Sequence, residues 1–279
     1  MNALMDALAN VQINGAKIYY KLPFELPVFG QIKITEAEVN SWIVIVVVAI
    51  LCKVLTHKLK VRPESKRQII AEFIVEKANS FVKSNMGESF AAFGPFIAAL
   101  MALSALSSLM SIFGLFSPTA DVNIIAGWAI VVFCMITFYK LKGGLGGYLK
   151  GFTQPIAVLT PFNIISEIAT PVSMMFRHFG NICSGSVIMT LVYTALLGLS
   201  HVVFGWLPGI LGQFPFFQIG IPIVFSLYFD IFGGLLQAFI FAMLTMMYIS
   251  SAAEDGEAAR AAKLEKQQKK LQKKAQKAA

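Results

Sequence analysis

What most constrains this chain is the length of its uninterrupted apolar runs. Five blocks, Trp42–Thr56, Phe90–Phe116, Val122–Tyr139, Ile164–Leu199 and Ile219–Ser250, contain only Lys53, Glu167, Arg177 and Asp230 as charged residues. A helix crosses the hydrocarbon of a bilayer with about 20 apolar residues, whereas a barrel strand needs some 9–11 in alternation. Runs of this length predict an all-α membrane protein with five transmembrane helices. Composition agrees, since only 14% of the 279 residues are charged, against about a quarter in soluble domains. The last two blocks exceed a single crossing, so both helices are expected to be long and strongly tilted.

Charge placement sets the expected orientation. The basic stretches HKLKVRPESKR after the first block and YKLKGGLGGYLK after the third are short, and short basic loops stay in the cytoplasm. Residues 1–37 then form an extracytoplasmic segment and 38–57 the first transmembrane helix, which is expected to serve as the insertion signal because no basic start precedes it. Residues 58–89 are expected to be a cytoplasmic loop. Within it, RQIIAEFIVEKANSFVK repeats Ile70, Phe73, Ile74 and Phe81 at helical spacing, which predicts an amphipathic helix on the membrane surface or against a soluble partner. Residues 90–116 and 122–140 are the next two crossings, and 141–162 a cytoplasmic loop with an interfacial segment. The long tilted helices occupy 163–201 and 217–252, and 253–279 form a basic cytoplasmic tail. The protein is thus expected to be a multi-pass protein of the cell's inner or plasma membrane, N-terminus outside.

The formal net charge of +8 resides mostly in that tail, where 258–279 hold seven lysines and one arginine against Glu265. Anionic lipid beside a basic tail accounts for it, and nucleic acid is not an expected partner. Strong helix formers without an apolar face make the tail a solvated helix or disordered. Cys52, Cys134 and Cys183 have no CxxC spacing and read as small buried hydrophobes, and the three histidines are scattered. No metal or cofactor is expected.

Arg177 is the anomaly. Between Ile168 and Ala253 the only other charged residue is Asp230. An arginine at the membrane centre costs roughly 2.5–3.5 kcal/mol on insertion scales and cannot escape by deprotonating. Snorkelling fails because Arg177 lies at least 14 residues, roughly 20 Å of helix, from either end of a block starting near Asn163. It therefore faces a polar interior or a carboxylate of this chain or another. On a helix it shares a face with Ser173, Asn181 and Ser184, while His178 points about 100° away and reads as a packing or interfacial residue. In the last block Asp230 and Gln237, seven apart, share a face with Gly233 and Gly234 between them. An internal Arg177–Asp230 salt bridge competes with a role for Asp230 in carrying protons.

The chain here resembles subunit a of the bacterial F-type ATP synthase, in the stretches FRHFGN and LLQAFIFAMLTMMYIS at 176–181 and 235–250. PTADVN at 118–123, FYKLKGGLGGY at 138–148 and PFNIISEIATPVS at 161–173 are similar in the same order. The likeness runs from about Phe90 to Ser251 and leaves out the basic tail. It implies a proton-translocating stator subunit, not an enzyme on its own but the channel component of the rotary complex. It implies as partners a c-ring of small hairpin subunits, the peripheral-stalk b subunits and, indirectly, the soluble ATPase sector. Two half-channels would meet the c-ring on either side of an essential arginine, which matches Arg177. Asn181 and Gln237 match its polar neighbours, Asp121 an outer half-channel acid and Glu167 a cytoplasmic-side acid. Ser173 lies on the same stripe. Where the family usually has a glutamate and histidine pair, this chain has Ser186 and Asp230, so proton entry would rely on Asp230 with water. Ser111 stands for a usual asparagine. The alternatives are a solute permease using Arg177 as an anion site, against which the absence of an internal repeat counts, and a structural scaffold built on the Arg177–Asp230 pair.

Overall fold

The computed structural model describes residues 15–26, 30–61, 65–153, 156–207 and 214–278. The start of the expected N-terminal segment, residues 62–64 and 154–155 of the expected cytoplasmic loops, and the side chains of the seven tail lysines lie outside the described residues.

A two-stranded antiparallel hairpin opens the described chain, β1 (Ile18–Leu26) against β2 (Gly30–Thr35), with Ile18 opposite Thr35 and Lys21 opposite Lys33. It leads directly into α1 (Glu36–Leu55). The Glu36 amide donates to the Lys17 carbonyl at 2.8 Å and the Thr35 amide to the Glu38 carboxylate at 3.2 Å. Acids in the first turn and Lys53 in the last complement the helix dipole. No element is expected in this segment from sequence; Ile18, Tyr19 and Tyr20 of the hairpin all stay exposed.

Next comes α2 (Lys66–Met86), whose Val82 and Met86 are buried while Ile70, Phe73 and Ile74 remain exposed. It stops at Gly87, where φ of +89° suits only glycine comfortably. The helix α3 (Gly94–Leu109) follows a 3-10 turn at Glu88–Phe93 and ends in another at Met110–Phe113. Then come α4 (Val122–Leu141), a short α5 (Leu145–Phe152) and α6 (Thr160–Phe204). At 1.5 Å per residue the 45 residues of α6 run about 68 Å, more than twice the ~30 Å hydrocarbon thickness. The last block is not one regular helix. A short α7 (Ile221–Ser226) passes into a π-helical stretch, Leu227–Gly233, and then into α8 (Gly234–Ala278). The tail is therefore helical as far as Ala278, continuous with the last span.

Five stretches are long and apolar enough to cross a membrane: Glu36–Leu55, Glu88–Phe113, Val122–Leu141, Ala157–Phe204 and Phe216–Ala258. The molecule is an all-α membrane protein apart from the hairpin. Its exposed faces are largely apolar, Trp42, Val46, Ile130 and Phe138 among them, as lipid-facing surfaces must be. The cysteines correct an expectation: Cys52 and Cys134 are exposed and Cys183 half-buried, all free. A face turned to lipid accepts a thiol as readily as a packed core does.

The chain forms two compact units. One holds the hairpin, α1, most of α3, the later half of α6, α7, the π stretch and the start of α8. In it Asn40, 5% exposed, donates from Nδ2 to the Phe116 carbonyl at 2.8 Å. The other holds most of α2 and α4, α5, the earlier half of α6 and the rest of α8. Its buried residues include Ile125, Ala129, Val132 and Ile136 of α4 and Phe241, Met246 and Ile249 of α8. Trp128 and Phe241 rings lie 6.4 Å apart, and a Cβ on Gly256 would sit 2.5 Å from the Tyr139 carbonyl oxygen. Close backbone approach at small residues is how membrane helices gain dispersion contacts, since lipid offers no hydrophobic drive between them.

Candidate functional site

Regular helix over Thr160–Phe204 gives the polar stripe of α6 its geometry. Ser173, Arg177, Asn181 and Ser184 follow one another by four, four and three residues, and all four are exposed. Met174, His178 and Gly185, from the other side of the same helix, are buried. The guanidinium thus stands on a surface that this chain leaves open. Among the described residues no carboxylate lies within ion-pairing distance of it. The expected internal competitor, a bridge to Asp230, is not formed: Asp230 instead accepts a hydrogen bond from the Ser226 hydroxyl one turn back.

Asp230 lies within a π-helical stretch, Leu227–Gly233. A π turn holds one residue more than an α turn, which sets following residues back by roughly 100° from the regular 3.6-residue register. Gln237 is buried, 4% exposed, while Asp230 is half-buried in the irregular segment. Such bulges are frequent at functional sites.

Asn181 ties the two stretches together. Its Nδ2 donates to the Gly233 carbonyl at 3.1 Å, the last residue of the π stretch. The next residue, Gly234, is pressed against α3, since an added Cβ would meet the Ser108 Cβ at 2.7 Å. Gly185 allows a similar approach, 3.6 Å from the Phe229 Cβ. Ser186 bonds back to the Cys183 carbonyl at 2.8 Å, a local contact within its own helix.

Two acids sit apart from the stripe. Asp121 begins α4 and accepts from the Asn123 amide at 2.9 Å, a capping contact at a half-buried position. Glu167 receives the Lys140 ammonium at 2.6 Å, with side chains 14% and 24% exposed. Nearby Tyr148 has its phenol held above the ordinary value, by burial first and then by the negative charge of Glu167.

The sequence reading missed a buried hydroxyl cluster. Ser104, Ser107, Ser108, Ser117 and Thr119 are all buried, and Ser104 and Thr119 are wholly so. Thr119 Oγ1 lies 2.8 Å from Ser117 Oγ and 3.3 Å from Ser108 Oγ; Ser117 donates to the Ser107 carbonyl at 2.8 Å. Ser111 donates to the Ser108 carbonyl at 2.8 Å. Ser104 Oγ meets His178 Nε2 at 3.3 Å, and His178 is fully buried. The signal available beforehand was the 104, 108, 111 spacing, which stripes one face of a helix.

Residues 39–250 match the family model described as ATP synthase A chain. The chain is 33% identical to an ATP synthase subunit a of Desulforamulus reducens over 218 residues, 77% of this chain and 78% of that one. It is 30% identical to an ATP synthase subunit a 2 of Bradyrhizobium sp., over 80% of this chain and 91% of the relative. A subunit a of Macrococcus caseolyticus is also 30% identical, over 83% and 96%.

Proposed function

The chain belongs to the ATP synthase A chain family, and from that premise we propose that it is the proton-translocating stator subunit of a rotary F-type ATP synthase. The observation that carries this reading is Arg177, a permanent cation deep within an apolar span, exposed and without a counter-ion among the described residues. An ion left alone in hydrocarbon is expensive, so its partner belongs to another chain. A ring of c-subunits bearing membrane-embedded carboxylates supplies one.

On this reading each ring carboxylate loses its proton as it nears Arg177, because a fixed positive charge favours the ionised form. The same charge repels protons from the direct path between two half-channels. A leak there would dissipate roughly 2.3 kcal/mol per proton per 100 mV of membrane potential. Arginine suits the task better than lysine, which can lose its proton when desolvated. Asn181 and Ser173 extend the polar stripe on which the carboxylate travels, and Gln237 lines the site from α8. Asp121 serves the outer half-channel with Asp230 and Ser186, and Glu167 the cytoplasmic one. The b subunits and the soluble ATPase sector complete the assembly. Basic loops on one side favour an N-terminus outside and a cytoplasmic tail.

ATP-driven proton pumping in vesicles carrying the assembled complex with Arg177→Ala tests the reading. Pumping and coupled synthesis are expected to be lost. Unchanged rates for both would sink it.

A further inference from the structure

We propose that the hairpin of β1 and β2 is a membrane-interface anchor that binds anionic lipid. The face carrying Tyr20, Ile32 and Ile34 lies in the interfacial layer of the bilayer, and the Lys21–Lys33 pair holds a lipid phosphate. The hairpin lies outside the residues 39–250 that match the family, and it serves this role whether or not the chain translocates protons.

Strand register gives the hairpin two unlike faces. Tyr20 stands opposite Ile34 and Lys21 opposite Lys33, so alternation puts Tyr20, Ile32 and Ile34 on one side and both lysines on the other. Tyr20, Ile32, Lys21 and Lys33 are all exposed. Like charges directly opposite each other, about 5 Å apart at Cβ, destabilise a strand pair. Among the described residues neither lysine has an ion-pair partner. A phosphate held between two ammonium groups turns that repulsion into attraction.

The bilayer is the surface that the apolar face meets, because the hairpin is fixed to the end of a membrane helix. β2 ends at Thr35 and α1 starts at Glu36 with no linker between them, and the Glu36 amide donates to the Lys17 carbonyl at 2.8 Å. The first turns of α1 hold Glu36, Glu38 and Asn40, and the unbroken apolar run starts at Trp42. Hydrocarbon therefore begins near Trp42, about 9 Å along the helix from Glu36, which sets the hairpin at headgroup depth. Tyrosine and tryptophan concentrate at that depth, and Tyr19, Tyr20 and Trp42 are all exposed. A two-stranded hairpin alone in water is marginal at best. Burying one apolar face at the interface supplies the support it lacks.

The test is photo-cross-linking in the assembled complex, in vesicles of equal phosphatidylglycerol and phosphatidylcholine, with p-benzoylphenylalanine replacing Tyr20. Mass spectrometry of this chain is expected to find lipid adducts, phosphatidylglycerol exceeding phosphatidylcholine by at least about five to one. The same probe at Val46, on the exposed side of α1, is expected to report the bulk ratio. Lys21→Gln together with Lys33→Gln is expected to bring the ratio at position 20 down to that at position 46. Absence of lipid adducts at position 20 overturns the proposal, whether another protein chain is captured there or nothing is. So does a ratio at position 20 that equals the one at 46, or that survives loss of both lysines. If the Tyr20 replacement fails to assemble, Ile32 on the same face carries the probe and the same outcomes decide.

Discussion

Asp230 is where a single side chain can be assigned most cleanly by substitution. Its carboxylate accepts from the Ser226 hydroxyl, and an amide oxygen at the same place accepts equally well. Asp230→Asn therefore preserves the local contact and removes only the ability to ionise. If Asp230 handles protons, ATP-driven pumping falls about tenfold in this variant while the complex assembles normally. Normal pumping across the pH range would leave it as a packing residue. Arg177 was legible as an anomaly from its surroundings alone, because a guanidinium in an apolar helix is costly and needs a polar partner. The absence of a bridge to Asp230 was not legible, since it depends on where the packing of two helices places both side chains.

Among elements, close approach between α4 and α8 is the feature most open to measurement. Gly256 touches the Tyr139 carbonyl region so tightly that an added methyl has nowhere to go, whereas a Cβ on Gly127 of α4 meets nothing within 4 Å. Gly256→Ala is expected to destabilise the chain by about 1–3 kcal/mol, read from denaturant unfolding in micelles. Gly127→Ala is expected to cost nothing and to gain slightly in helix propensity. Equal behaviour of the two would show that the contact is not tight. The π stretch is the element that sequence periodicity describes worst. Pattern arguments assume 3.6 residues per turn, and one widened turn shifts the facing of everything after it.

At the scale of the whole molecule, α8 starts at Gly234, next to the residue that Asn181 bonds, and continues to Ala278. Everything proposed for proton transfer lies upstream of its basic end. Deleting 259–279 is expected to leave ATP-driven pumping of the assembled complex intact, while a peptide of residues 259–279 is expected to bind anionic vesicles with about 1 kcal/mol per lysine or arginine near the surface. Lost pumping would assign the tail a part in coupling. The linear pattern of residues set the solvent and the class of fold: apolar runs of bilayer length leave helices as the only way to bond every backbone group internally. It also singled out Arg177 and the stripe of Ser173, Asn181 and Ser184, since a helix carries its own periodicity. Tertiary structure alone decided which polar groups meet. Ser104 and His178 lie 74 positions apart, and Asn181 and Gly233 lie 52 apart, so no local spacing encodes those contacts. They follow from how the helices pack, and packing is set by small residues and irregular turns whose effects a one-dimensional pattern does not carry.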